Sequence, residues 1–280
     1  MTRLIEPHGG TLRIGYLDEQ AAADLAAEAA HFPEWDLTHR QLCDLELILN
    51  GGFSPLEGFL GQADYERVRD DMRLADGTLW PIPVTLDVSE AFAAKVEGAS
   101  AASPVPIALR DAEGVLIAVM DVTEAWRPDK ALEAERVFGA DDAAHPAVHY
   151  LHHQANPVYL GGRVRGIEHP THYDFKHLRN TPQQLREFFD KVGWSRIVAF
   201  QTRNPMHRAH QELTFRAAQE VEANLLIHPV VGMTKPGDID HFTRVRCYEH
   251  IIQRYPEQTT TLSLLPLAMR MGGPREAVWH

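Results

Sequence analysis

The stretch that most constrains this chain runs from Arg196 to Val221. Arg196-Ile197-Val198-Ala199-Phe200 is a short apolar run of the kind that forms a buried parallel strand. Gln201-Thr202-Arg203-Asn204-Pro205-Met206-His207-Arg208-Ala209-His210 follows, then a helical pattern with Leu213, Ala217, Ala218 and Val221 at three- and four-residue spacing. Asn204 suits an N-cap and Pro205 the first helical position, which predicts strand, turn and helix. Such a helix starts at the carboxyl edge of a parallel sheet, where open α/β folds bind ligands.

That placement sets the chemistry. A helix start offers unpaired N–H groups and partial positive charge, both of which attract phosphate. His207 and His210 share one face of the first turn. Arg203 brings a planar fork suited to an oxyanion, and Gln201 and Asn204 add neutral donors. The set suits charge stabilisation in phosphoryl or nucleotidyl transfer and contains no nucleophile paired with a base. An isolated HxxH arises by chance on many helices, so the argument rests on the whole cluster. Zinc is disfavoured, because zincin histidines stand at i, i+4 with an intervening Glu.

Strands and helices alternate from Thr181 onward, which predicts parallel βαβ units in a Rossmann-like sheet. Thr181-Pro182 opens a helix whose Leu185, Phe188, Phe189 and Val192 face inward, with Gly193 after it. Leu225–Val231 and Thr259–Leu265 read as strands, and Arg244, Tyr248, His250 and Ile251 fall on a helix. Lys235, in the loop after Val231, is placed either to reach a phosphate or as an ordinary solvated cation. The part before Gly161 is different: a helix over 19–30, a second capped by Thr38, a third over 64–72, then strand-like Trp80–Val88 with edge prolines. A hairpin is expected from 107–109 and 115–119 around Asp111-Ala112-Glu113-Gly114. Gly161-Gly162 through Pro170 reads as the junction, giving domains 1–165 and 166–280. His145, His149, His152 and His153 read either as a solvated helix face or as a metal site.

Charge separates the two parts. Residues 1–165 hold 13 Lys and Arg against 27 Asp and Glu, a net −14, whereas 166–280 hold 14 against 12, a net +2. An anionic substrate is tolerated only by the second part, and the first is a poor partner for a nucleic-acid backbone. No basic n-region precedes an apolar run, and no apolar run is long enough for a bilayer, so no membrane role is expected. The two cysteines, Cys43 and Cys247, fit free thiols in a reducing cytoplasm, with one disulfide as the other reading.

The ten-residue run from Gln201 resembles the signature of ATP sulfurylase (sulfate adenylyltransferase), within the HxxH nucleotidyltransferase superfamily. Gly51–Phe59, Tyr173-Asp174-Phe175, Lys235-Pro236-Gly237-Asp238-Ile239-Asp240 and Arg244-Val245-Arg246-Cys247-Tyr248 are similar to other stretches of that family. The resemblance implies an α/β chain: an N-terminal mixed α+β PUA-like β-barrel domain, then the Rossmann-like nucleotidyltransferase domain. It implies the substrates ATP and sulfate, with adenylyl sulfate and pyrophosphate as products. It assigns Gln201 and Arg203 to sulfate; Thr202, Arg203, Asn204, His207 and His210 to catalysis; and Gln201 through Asn204 with both histidines to ATP. Mg²⁺ is expected to arrive with ATP, with no resident metal site. The family has a second nucleotide-binding run similar to Gly-Arg-Asp-His-Ala-Gly. This chain has none, and its final helix from Pro274 lacks a stop signal, so a sequence incomplete at the C-terminus is expected, with a homo-oligomer in the full-length form. The competing readings are an inactive nucleotide- or anion-binding module, an RNA-binding protein, and an HxxH enzyme with another acceptor.

Overall fold

The computed structural model describes residues 4–235 and 237–280. Pro236 of the Lys235–Asp240 run therefore lies outside the described residues.

The first unit contains α1 (Glu19–Ala29), β1 (Glu34–Asp36), α2 (His39–Leu49), β2 (Gly58–Phe59), α3 (Gln62–Asp71), β3 (Leu86–Val88), α4 (Glu90–Ala93), β4 (Val105–Arg110), β5 (Leu116–Trp126), α5 (Lys130–Glu133), α6 (Pro146–His153) and β6 (Val158–Gly166). Its helices start where side chains can satisfy orphan N–H groups. The Ala21 N–H donates to Asp18 at the head of α1 (2.9 Å), and Thr38 and Gln41 form a reciprocal capping box on α2. Each such cap contributes about 1 kcal/mol.

The six strands form one mixed sheet in the order β1-β4-β5-β6-β2, with β3 also on β6; only β1–β4 is parallel. Strand alternation assigns the faces. Ile107 and Leu109 enter the main core, while Ala108 and Val119 face α1 at Leu25 and Ala29. The expected barrel is not closed: among the described residues no ladder joins β1 to β2. Two further expectations change. Of the Trp80–Val88 run only Leu86–Val88 pairs, because Pro81 and Pro83 cannot donate to a ladder. Gly161 and Gly162 lie inside β6 rather than at a junction. They are needed for close approach, since a Cβ on Gly162 would fall 2.1 Å from the Asp121 carbonyl oxygen.

The second unit contains α7 (Pro182–Lys191), β7 (Ile197–Thr202), α8 (Arg208–Glu220), β8 (Asn224–Pro229), α9 (His241–Ile252), β9 (Thr260–Leu262) and α10 (Pro274–Trp279). Its sheet is parallel throughout, in the order β7-β8-β9. Leu225 and Ile227 of β8 face α8 and α9, packing with Phe215, Tyr248 and Ile252. Leu226 faces α7 at Leu185 and Phe189. Helices therefore cover both faces, as parallel strands require. Phe188 and Val192, expected inward, are 38% and 45% exposed.

Contacts among the described residues join the units. Val230 and Leu267 belong to the first unit's core cluster. Arg270 forms a buried ion pair with Asp44 of α2.

Candidate active site

β7 carries Gln201 and Thr202 to the carboxyl edge of the parallel sheet. The next turn is not the one expected. Helix α8 begins at Arg208, with His207 as its N-cap, so neither Asn204 nor Pro205 caps it. The cause is local bonding. The Asn204 N–H donates to Thr202 Oγ1 (3.1 Å), and Tyr248 of α9 donates its hydroxyl to the Asn204 carbonyl (2.5 Å). That carbonyl is thus committed to α9 and cannot start the helical ladder. Burial pushes the Tyr248 phenol up to about 12, so it remains a donor.

His210, in the first turn of α8, takes over the capping. Its Nδ1 accepts from the His207 N–H at 3.0 Å. An imidazole that accepts at Nδ1 carries its proton on Nε2, so His210 presents an Nε2–H donor. The two rings lie together, with centroids 5.6 Å apart, and His210 also packs 6.0 Å from Phe200. The expected pairing of imidazoles is therefore present. The helical spacing of Leu213, Ala217, Ala218 and Val221 falls on α8 and its C-cap; Ala218 packs inward with Met206, Phe215 and buried Thr214, whereas Leu213 is 60% and Val221 49% exposed.

Arg203 turns to a different neighbour. Its Nε lies 3.1 Å from Asp238 Oδ2, and its Nη1 is 3.4 Å from the Met271 sulfur. Arg203 Nε and Asp238 Oδ2 are buried and attract as charges, yet neither makes a well-aligned hydrogen bond. The Gln201 amide nitrogen, two residues earlier in the chain, is also buried without a partner. Orphaned buried donors carry a desolvation cost of about 1–3 kcal/mol each, and an incoming anion removes it. No contact among the described residues joins Arg203 to either imidazole. The site thus has two halves, an anion-seeking pair at Gln201 and Arg203 and an imidazole pair at the head of α8.

The loop after β8 supplies what sequence reasoning missed. Asp238 was visible only as part of a family-like run. Its role comes from the parallel sheet, which puts the ends of β7 and β8 side by side. Arg244, buried on α9, braces this loop by donating to the carbonyls of Ile239 (2.8 Å) and Val230 (2.7 Å). Lys235 is exposed, and its backbone carbonyl accepts from the Asp238 N–H at 3.2 Å. Behind the site His228 pairs in register with Gln201, and burial pulls its imidazole down to about 4. The His-rich helix is separate: His145 caps α6, His152 pairs with Asp141 at 2.5 Å, and His149 packs on His153.

Comparison with known proteins fits this geometry. Residues 5–169 match the family model of the PUA-like domain, and residues 176–280 match that of ATP-sulfurylase. The chain is 56% identical over 276 residues to a sulfate adenylyltransferase of Mycosarcoma maydis, covering 98% of this chain and 48% of that one. It is 52% identical over 278 residues to a sulfate adenylyltransferase of Eremothecium gossypii, covering 99% and 54%. The chain belongs to the ATP-sulfurylase family. It spans about half the length of the curated relatives it matches. A solved structure titled "Hexameric APS kinase from Thiobacillus denitrificans" superposes with a TM-score of 0.81 at 36% identity, covering 99% of this chain and 50% of that one. In this ATP-sulfurylase chain the run Gln201–His210 spans the end of β7, the turn held by Thr202 and Tyr248, and the first residues of α8. No helix among the described residues is long and apolar enough to cross a membrane.

Proposed function

We propose that the chain is a sulfate adenylyltransferase that joins sulfate to the adenylyl group of ATP. A sulfate oxygen attacks the α-phosphorus in line, a new S–O–P linkage forms, and the bond to pyrophosphate breaks with its electrons leaving on pyrophosphate. The observation that carries this reading is the buried, imperfectly satisfied pair Gln201 Nε2 and Arg203 at the sheet edge. A tetrahedral dianion satisfies both. Asp238 then gives up the guanidinium that it faces at 3.1 Å.

His207 and the Nε2–H of His210 point the head of α8 at the phosphates, where charge develops on the departing pyrophosphate. Thr202 and Asn204 fix the loop between the two halves. Among the described residues no group of three or more His, Cys, Asp or Glu side chains is placed to hold a metal ion. Mg²⁺ arrives on the phosphate oxygens of ATP, where it neutralises charge. The surroundings are a soluble cytoplasmic compartment, and the hexameric title of the structural neighbour supports a homo-oligomer.

The test is sulfate-dependent release of pyrophosphate from ATP. Turnover that is lost in Arg203→Ala and in Gln201→Ala supports the assignment; pyrophosphate release independent of sulfate refutes it. One other reading is a nucleotide- and anion-binding module without turnover. Calorimetric ATP binding with no pyrophosphate release selects that reading.

A further inference from the structure

The second unit handles its arginines unevenly. Arg179, Arg196, Arg203, Arg216 and Arg270 face carboxylates. Arg186, Arg244 and Arg275 donate to backbone carbonyls. Among the described residues only Arg208, Arg246 and Arg254 of this unit have guanidinium groups with no such partner. All three line one groove of about 540 Å³ between α8 and α9, together with Met206, Cys247 and His250. No carboxylate lines it. Glu212, the nearest acidic residue on α8, is taken by Arg216 at 2.6 Å, and Glu249 of α9 faces His177 at 3.4 Å. Three cations around one concavity that no carboxylate lines make a local positive patch in a chain of net charge −12, which attracts an anion. The groove volume is in the range of small-ligand sites.

We propose that this groove is a second anion site, which binds the polyphosphate chain of a small molecule across Arg208, Arg246 and Arg254. It is separate from both halves of the candidate active site: neither His207 nor His210 lines the groove, and Arg203 turns away to Asp238 and Met271. Three guanidinium forks match several phosphates in a row better than one tetrahedral ion. The acidic first unit disfavours a long nucleic-acid backbone and leaves a compact polyanion as the fitting ligand.

Cys247 is a built-in reporter. It is exposed in the groove, whereas Cys43 is buried and burial pushes its thiol up to about 12. The 280-residue chain is treated with a dianionic aromatic disulfide and with neutral dithiodipyridine, each with and without inorganic tripolyphosphate. The groove cations make Cys247 react roughly tenfold faster with the dianionic reagent once intrinsic reactivities are normalised. Tripolyphosphate slows that reaction in the wild type and in Arg203→Ala, but not in the double variant Arg246→Glu/Arg254→Glu. These substitutions are on exposed positions, and an unchanged far-ultraviolet circular dichroism spectrum confirms the fold. A nucleoside triphosphate protects as well as tripolyphosphate does, because the groove reads the phosphate chain. Protection lost in Arg203→Ala but kept in the double variant overturns the proposal, as does protection by the nucleotide alone.

Discussion

The two sheets of this molecule are built to different standards. In the first, β4 and β5 are sealed: Ile107, Leu109, Ile117, Met120 and Val122 are all 0% exposed. In the second, β7 is an edge strand that is only half-buried along its length, with Ala199 exposed. The proposed chemistry sits on the less covered sheet. A site proposed to admit two anions needs open strand ends, and the sealed sheet supplies the rigidity behind it.

That contrast can be broken at several points. Leu109→Ala in the sealed sheet is expected to cost about 2–5 kcal/mol in urea unfolding, because the cavity cannot collapse. A loss below 1 kcal/mol would show the first core to be no tighter than the second. Arg203→Ala at the open sheet is expected to lower sulfate-dependent turnover roughly 100- to 1,000-fold, the scale of one lost oxyanion donor, with the fold kept but the melting temperature lowered because buried Asp238 loses the guanidinium it faces. His228 links the two standards, being buried behind an open site. Its folded value is near 4, below the about 6.5 of the unfolded chain. The unfolded state therefore binds the extra proton between those values, and stability falls as pH drops through that window by up to roughly 3 kcal/mol. His228→Leu should flatten this part of the pH–stability curve. Tyr248→Phe removes the hydroxyl that holds Asn204 and should lower kcat/KM roughly fivefold, about 1 kcal/mol, with stability reduced by a similar amount. Leu213→Gln, at an exposed position on α8, should stay within about 0.5 kcal/mol.

Much of this was legible in the chain. Thr38 with Gln41 and Thr181 with Pro182 announce their helices because caps act over three residues. The strand Ile197–Thr202 and the proximity of His207 to His210 follow from local spacing alone. The misreadings share a cause. Asn204 looks like an N-cap until Tyr248, forty-four positions onward, takes its carbonyl. Gly161 and Gly162 look like a linker until Asp121 is seen pressed against them. Asp238 carries no local signal, since only strand order brings it to Arg203. Local bonding writes itself into sequence; contacts made across a sheet do not.

The ion pair between Asp44 and Arg270 has a further meaning for how the chain is partitioned. Two family models divide the sequence near residue 170, yet a carboxylate from one side and a guanidinium from the other neutralise each other in the interior. Removing either partner would leave the other charge buried without its counter-ion, at a cost of several kcal/mol. The seam visible to homology is thus crossed by a buried electrostatic contact, which ties each segment to the presence of the other.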